Sequence, residues 1–364
     1  MKRSHILVIR FSALGDVAMV VPVVHAVACR YPDVRITVLS REFAHTFFDD
    51  LAPNVNFMSA DLKNEYRGIK GLNSLYRRLV AKQFTHVADL HSVLRSEYLR
   101  LRFNLGRFNV AHIDKHRSMR RQLVAREGHK VLQQLPTPFE NYAEVFARLG
   151  FPVEEFSFKS IFADSTADGR GNLNLLPKAI GPKRSWEHWI GIAPFAAHAG
   201  KVYPTEKMEQ AIALLLERHP RSHVFLFGRG KGEEAVFSRW TARFPQCLYA
   251  GAHTENMHQE LILMSHLDVM VSMDSANQHL ASLTATPVVS IWGATHPLAG
   301  FAGWHQKAEN IVQADLPCRP CSIYGQKPCL RGDYACMTTI SPETVVQAVE
   351  RLLKDADEAV VESD

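Results

Sequence analysis

Three stretches hold residue types whose spacing suits chemistry rather than packing alone. The most informative is residues 272–297, SMDSANQHLASLTATPVVSIWGATHP. An apolar, β-prone run, LDVMVSM, leads into Asp274 and Ser275; NQHLASLTA then reads as helix and TPVVSIW as a second strand. Such a strand-turn-helix-strand unit presents free backbone N–H groups at the helix start, here at Ala276 and Asn277, and these favour a bound anion. Lys201, in AHAGK, follows a glycine in a strand-to-helix turn. There a lysine is either a solvated surface charge or a point charge for phosphate. Asp16, in Ser12-Ala13-Leu14-Gly15-Asp16, stands at a helix start. It is either a cap and dipole partner or a general base facing a substrate hydroxyl, with Gly15 allowing backbone to approach a ligand closely. GRGKGEE at 228–234 misses the GxGxxG spacing of a dinucleotide loop, although Glu233 or Glu234 there suits a ribose hydroxyl.

The elements that would carry these residues repeat one pattern twice. HILVIR is a buried strand, FSALGD a tight turn, Val17 to Arg30 a helix despite Pro22, and VRITVLS the next strand. THVADLH is a further strand that ends on Asp89 and His91, and NYAEVFARLGF closes the half as a helix. Residues 162–185, rich in glycine, proline and small polar types, read as a connection. Then WIGIAPF, a helix from Thr205 to Arg218, SHVFLFG and the helix EEAVFSRWTARF restart the alternation, and SPETVVQAVERLL starts a last helix at Ser341 that is expected to end near Asp355. The expectation is an α/β fold of two doubly wound, Rossmann-like halves facing across a cleft, with the site where the strands' carboxyl ends meet. The expected divisions are a first domain at 1–165, a linker at 166–187, a second domain at 188–340 and a C-terminal helix and tail at 341–364.

A chain of 364 residues, 46% hydrophobic and 22% charged, is an ordinary globular protein of about two domains. The N-terminus mimics a signal peptide, but Arg10 and Asp16 interrupt the apolar stretch and no small-residue cleavage site closes it. A cytoplasmic location is expected. The net charge of +5 is unevenly spread: residues 63–130 hold sixteen Lys/Arg against five acids, leaving the remainder net acidic. A solvated basic face explains this, and so does a phosphate-rich partner such as nucleic acid, an anionic headgroup or an acidic glycolipid.

The motifs FSALGD…P, APFAAHAGKVYP and DSANQHLASL…TPVVSIWGATHP, extended by CRPC…C…C…ISPE, resemble the ADP-heptose:lipopolysaccharide heptosyltransferases of glycosyltransferase family 9 over most of the chain. The resemblance implies a GT-B enzyme with the acceptor on the first domain and the nucleotide sugar mainly on the second. It implies Asp16 as catalytic base, Lys201 as the donor-phosphate lysine, and Asp274 as an aspartate closing on the donor. Ser275, Ala276 and Asn277 would lie at the pyrophosphate turn, where the family often has a glycine. His279 matches a recurrent family histidine with either a packing or a ligand role, and Glu233 suits the ribose. Ser12, Gly15, Arg95, Lys115, Arg117 and Arg120 would face the acceptor, an acidic lipid-linked core oligosaccharide. Inverting, metal-independent transfer from an ADP-sugar is implied, with peripheral contact at the inner membrane and no nucleic acid. A different donor sugar is the near alternative; a zinc-containing nucleic-acid-binding module is the distant one.

Cys318, Cys321, Cys329 and Cys336 lie within nineteen residues and begin with a CxxC, a spacing that suits either a structural zinc or reduced thiols packing a loop. Cys29 and Cys247 read as buried thiols.

Overall fold

In a computed structural model, residues 4–163 and 169–361 are described. Part of the expected 162–185 connection, residues 164–168, therefore lies outside them. The chain divides into two compact units: one runs to His116 and includes Pro136–Ile161, the other comprises Arg117–Leu135 and everything from Phe162 onward.

The first unit opens with β1 (His5–Ile9), α1 (Leu14–Ala18), α2 (Val21–Arg30) and β2 (Arg35–Ser40). The single helix expected from Val17 to Arg30 is two. Pro22 falls in the first turn of α2, because proline lacks an N–H and clashes with the preceding turn, so it begins a helix rather than continuing one. Next come β3 (Val55–Ser59), α3 (Gly68–Val80), β4 (His86–Asp89), α4 (Leu94–Leu105) and β5 (Asn109–His112). A short helix α5 (Arg117–Leu123) belongs to the second unit, before the chain returns with α6 (Pro138–Arg148). Thr137 caps α6, accepting from the Glu140 N–H while Glu140 reaches back to the Thr137 N–H. The five strands form one parallel sheet in the order β3-β2-β1-β4-β5. One of its faces packs Leu7, Ile9 and Val87 against Leu72, Leu75, Leu79, Leu99 and Phe103 of α3 and α4.

The second unit continues with β6 (His188–Ala193), α7 (Thr205–Arg218), β7 (Ser222–Leu226), α8 (Lys231–Arg243), β8 (Cys247–Tyr249), α9 (Ala250–His253) and α10 (Met257–Ser265). It then adds β9 (Val269–Met273), α11 (Ala276–Leu283), β10 (Val288–Trp292), β11 (Ile311–Gln313), α12 (Ala335–Thr338) and α13 (Pro342–Val361). Its sheet is again all parallel, β11-β10-β9-β6-β7-β8. The last helix runs past Asp355 because no glycine or proline follows Leu353 to stop it. Among the described residues no helix is long and apolar enough to cross a membrane.

Chain order reverses between β1 and β4 in the first sheet and between β6 and β9 in the second. Loops leaving adjacent strands at such a point diverge to opposite faces and open a crevice at the carboxyl ends. The Asp16 turn follows β1 and His91 follows β4; Lys201 follows β6 and Asp274 follows β9. Topology thus delivers the candidate residues to the switch point of each sheet.

Candidate active site

In the first unit, Arg10 leaves β1 buried and donates from Nη1 to the Leu90 carbonyl at 2.7 Å. Its Nη2 lies 2.7 Å from Asp16 Oδ2, and the Ala13 N–H donates to the same oxygen at 3.1 Å. Asp16 therefore does bond back to the start of its own helix, as a structural carboxylate would. Its side chain nevertheless keeps 30% exposure, enough for a hydroxyl to reach it. Beside it, the Phe11 N–H donates to His91 Nδ1 at 3.4 Å, which leaves the hydrogen on Nε2, 3.4 Å from Ser12 Oγ. Burial, then the Arg10 and Lys115 charges, push the His91 pKa down to about 3, so the ring is neutral. A buried neutral histidine makes the fold acid-sensitive. The unfolded chain binds the proton from pH 6.5 downward and the folded one does not, so stability is complete above pH 6.5 and declines as pH falls toward 3. His91→Asn is expected to flatten the fall in melting temperature between pH 7 and 4.5; an unchanged slope would remove His91 from that role.

Ser12, His91 and Arg95 line a cavity of about 730 Å³ together with Arg41, Phe43 and Lys63. Lys115 instead braces the loop, its Nζ 2.8 Å from the Ser92 carbonyl. Buried Asp89 serves the same loop, accepting from the His91 and Ser92 N–H groups and from Arg100 at 3.1 Å. Gly15 is buried in α1. Arg117 and Arg120 belong to the second unit. There Arg117 is exposed, while Arg120 stacks over Phe301 and Tyr324 and donates to the Tyr324 hydroxyl at 2.6 Å.

In the second unit, Lys201 Nζ lies 2.9 Å from Asp274 Oδ2. Thr295 Oγ1 donates to that oxygen at 2.7 Å and Gln278 Nε2 to Oδ1 at 3.2 Å, so the nearly buried carboxylate is fully engaged. Two glycines let the lysine in. A Cβ on Gly325 would lie 2.5 Å from Lys201 Cγ, and one on Gly200 would lie 2.8 Å from the Ala294 Cβ. Ser275 is the N-cap of α11 with extended backbone, and its side chain makes no capping bond. The amides of Ala276 and Asn277 consequently meet no hydroxyl of their own cap, and the positive end of the helix lies beside the Lys201–Asp274 pair. His279 is buried within α11. Glu233 accepts from the Arg229 N–H at 2.9 Å, and burial raises its pKa. Glu234 reaches the Gly230 N–H at 3.3 Å, so both carboxylates brace the Gly228–Gly230 turn.

Arg319 escapes the sequence reading. It is buried and its guanidinium donates to the carbonyls of Trp292, Gly293, Thr295 and Ala314 and to Gln313. It thereby fixes the turn from which Thr295 reaches Asp274. Its only sequence signal is an arginine between two cysteines. Arg319→Met strands several buried carbonyls and is expected to cost more than about 3 kcal/mol in urea unfolding, whereas a surface arginine costs less than about 1.

No cysteine is in a disulfide; Cys247 is buried as expected, and Cys29 is exposed rather than buried. Cys29 follows His25 by one helical turn on the rim of α2, which the apolar composition of that helix conceals. Burial pushes the Cys336 thiol up to about 11, against the opposing Arg319 charge. Among the described residues, no three His, Cys, Asp or Glu side chains converge as a metal site.

Two parallel-sheet units of this topology make up a GT-B-type fold. The chain matches a solved ADP-heptose lipopolysaccharide heptosyltransferase II of Escherichia coli with TM-score 0.67 at 17% identity, covering 97% of this chain and 99% of that one. It matches a family 9 glycosyltransferase of Veillonella parvula with TM-score 0.70 at 16% identity, covering 98% of each. In sequence it is 24% identical over 308 residues to the lipopolysaccharide core heptosyltransferase OpsX of Haemophilus influenzae, 80% of this chain and 79% of the relative. The family model for glycosyltransferase family 9 (heptosyltransferase) matches residues 72–329, and the chain belongs to that family.

Proposed function

We propose that this protein transfers a heptose, or a closely similar sugar, from an ADP-sugar to the core of a lipopolysaccharide with inversion at the anomeric carbon. The observation that carries the reading is the Lys201–Asp274 pair set beside the uncapped start of α11 at the switch point of the second sheet. That constellation suits a diphosphate. The acid chemistry of the acceptor suits the cavity on the first unit, where Arg41, Lys63 and Arg95 gather.

Asp16 accepts the proton of the acceptor hydroxyl while that oxygen bonds to the anomeric carbon. The bond from that carbon to the diphosphate oxygen breaks, and its electron pair leaves with ADP. Lys201 and the amides of Ala276 and Asn277 take up the charge that grows there, a contribution of about 3 kcal/mol for one preorganised group. Glu233, which accepts from the Arg229 N–H, would exchange that bond for a ribose hydroxyl when the donor binds. These charges are all supplied by the chain, so turnover is expected to be unchanged by EDTA; loss of activity restored by a divalent ion would remove the metal-independent mechanism. The four-cysteine loop is read as packed thiols. Metal analysis of protein purified without chelator should then find well under one equivalent of zinc or iron, and a full equivalent would assign the loop to a metal.

The donor is tested by thermal shift with ADP, UDP and GDP, followed by mass spectrometry of a transfer reaction with ADP-heptose. Stabilisation by ADP alone and a heptose-sized mass gain on the acceptor are expected. Preference for UDP or GDP would favour a family 9 enzyme with another donor.

A further inference from the structure

The outer face of α3 and α4 carries apolar side chains that no element covers. On α4, Leu94, Leu101 and Leu105 are 84%, 55% and 72% exposed. Their spacing of seven and four puts them within roughly 40° of one another around the helix. On α3, Ile69 (67% exposed) and Val80 share a stripe with Asn73 and Tyr76 at the same spacing. Asn73 accepts from the Tyr98 hydroxyl of α4 at 2.8 Å, and Tyr76 packs edge-on against Phe103. The two rows therefore share one two-helix face, with Tyr98, Arg102 and Tyr76 between them. Isolated exposed leucines are unremarkable, but an exposed aliphatic row on each of two neighbouring helices marks an interaction face.

The border of this face names the partner. Arg95 and Arg102 flank the leucines on the side toward α3, with Arg102 over the Tyr76 ring, and Lys70 and Arg77 are exposed on α3. Glu97 is the one acid on either helix. Leu94 and Arg95 also line the 730 Å³ cavity, so the stripe begins at its rim and leads away from it. Two aliphatic rows with cations between and beside them suit the interface of an anionic bilayer, where acyl-chain contact and headgroup charge act together.

We propose that the α3–α4 face seats this protein on an anionic lipid surface through Leu101, Leu105 and Ile69, with the basic border on the headgroups. This rests on the reading of the acceptor as lipid-linked, whose reactive hydroxyl lies at such a surface. The test is co-sedimentation with phosphatidylcholine vesicles with and without phosphatidylglycerol. Wild-type protein is expected to bind the anionic vesicles, to release in high salt, and to ignore the neutral ones. Leu101→Asn combined with Leu105→Asn should lower the partition coefficient at least about tenfold, since two aliphatic side chains no longer leave water. Leu132→Asn, an exposed leucine of the second unit, should leave it unchanged. The double variant should retain turnover on a deacylated, soluble acceptor and lose it on acceptor held in vesicles. Absent wild-type binding, equal binding to neutral vesicles, or unaltered binding of the double variant would overturn the proposal. So would a concentration-dependent dimer that the double variant loses, without vesicle binding, which gives the face to a second copy. Vesicle binding needs no catalysis, so absence of transfer to any acceptor fails the proposed function alone.

Discussion

Asp16→Asn is expected to lower kcat/KM by at least about 10³ while ADP still stabilises the protein, because a positioned general base contributes roughly 10²–10⁴. The variant keeps the size of the side chain and removes its basicity. It also leaves the guanidinium of Arg10, 9% exposed, without its carboxylate. Breaking such a pair is costly when both partners are buried, but Asp16 is partly in water, so the loss should be about 1–3 kcal/mol. That side effect must be separated from chemistry. Arg10→Met with Asp16→Asn removes both charges and should recover much of the stability with none of the activity. Circular dichroism with a discontinuous transfer assay on the wild type and the two variants makes the comparison. Near-normal turnover in a folded Asp16→Asn protein would end the assignment of the base, and activity tracking stability across the set would make Asp16 a structural carboxylate.

The alternation of strand and helix was legible because buried parallel strands are written as short runs of Val, Ile, Leu and Phe, as in HILVI and VVSIW. The turns holding Asp16, Lys201 and Asp274 were legible because each lies where such a run meets polar residues. Between residues 63 and 123 the charges hid the architecture. Helix α3 has a strong apolar stripe at Leu72, Leu75 and Leu79, yet its lysines and arginines dominate a linear reading. Nor does linear order show that Arg117 and Arg120 lie on a segment that packs with the second unit through Leu123, Leu135 and Ala299. Arg319, Thr295 and Gln278 were invisible for another reason. Each acts through a contact with residues far along the chain or through backbone carbonyls, and a carbonyl has no letter in the sequence.

Lys201→Met is expected to cost about 10²–10³ in kcat/KM and to weaken ADP binding as well, since in the proposed mechanism the same cation faces the diphosphate in the ground state and, more strongly, as its charge grows. Lys201→Arg should rescue little. The stem of Lys201 lies against Gly325, where even a Cβ would come within 2.6 Å of Cδ, and the planar guanidinium does not follow that path. Asp274 presents the sharper question, because a carboxylate beside a diphosphate repels it. Its bonds to Lys201, Thr295 and Gln278 offset that charge, and they point to a carboxylate that aims the lysine rather than one that touches the donor. On that account Asp274→Asn lowers transfer about tenfold in an otherwise normal protein and changes nothing further once Lys201 is methionine. The double-mutant cycle reads this as a coupling near the whole of the single Asp274 effect. Fully additive losses would mean that Asp274 makes its own contact with the donor, and the aiming role would then be lost.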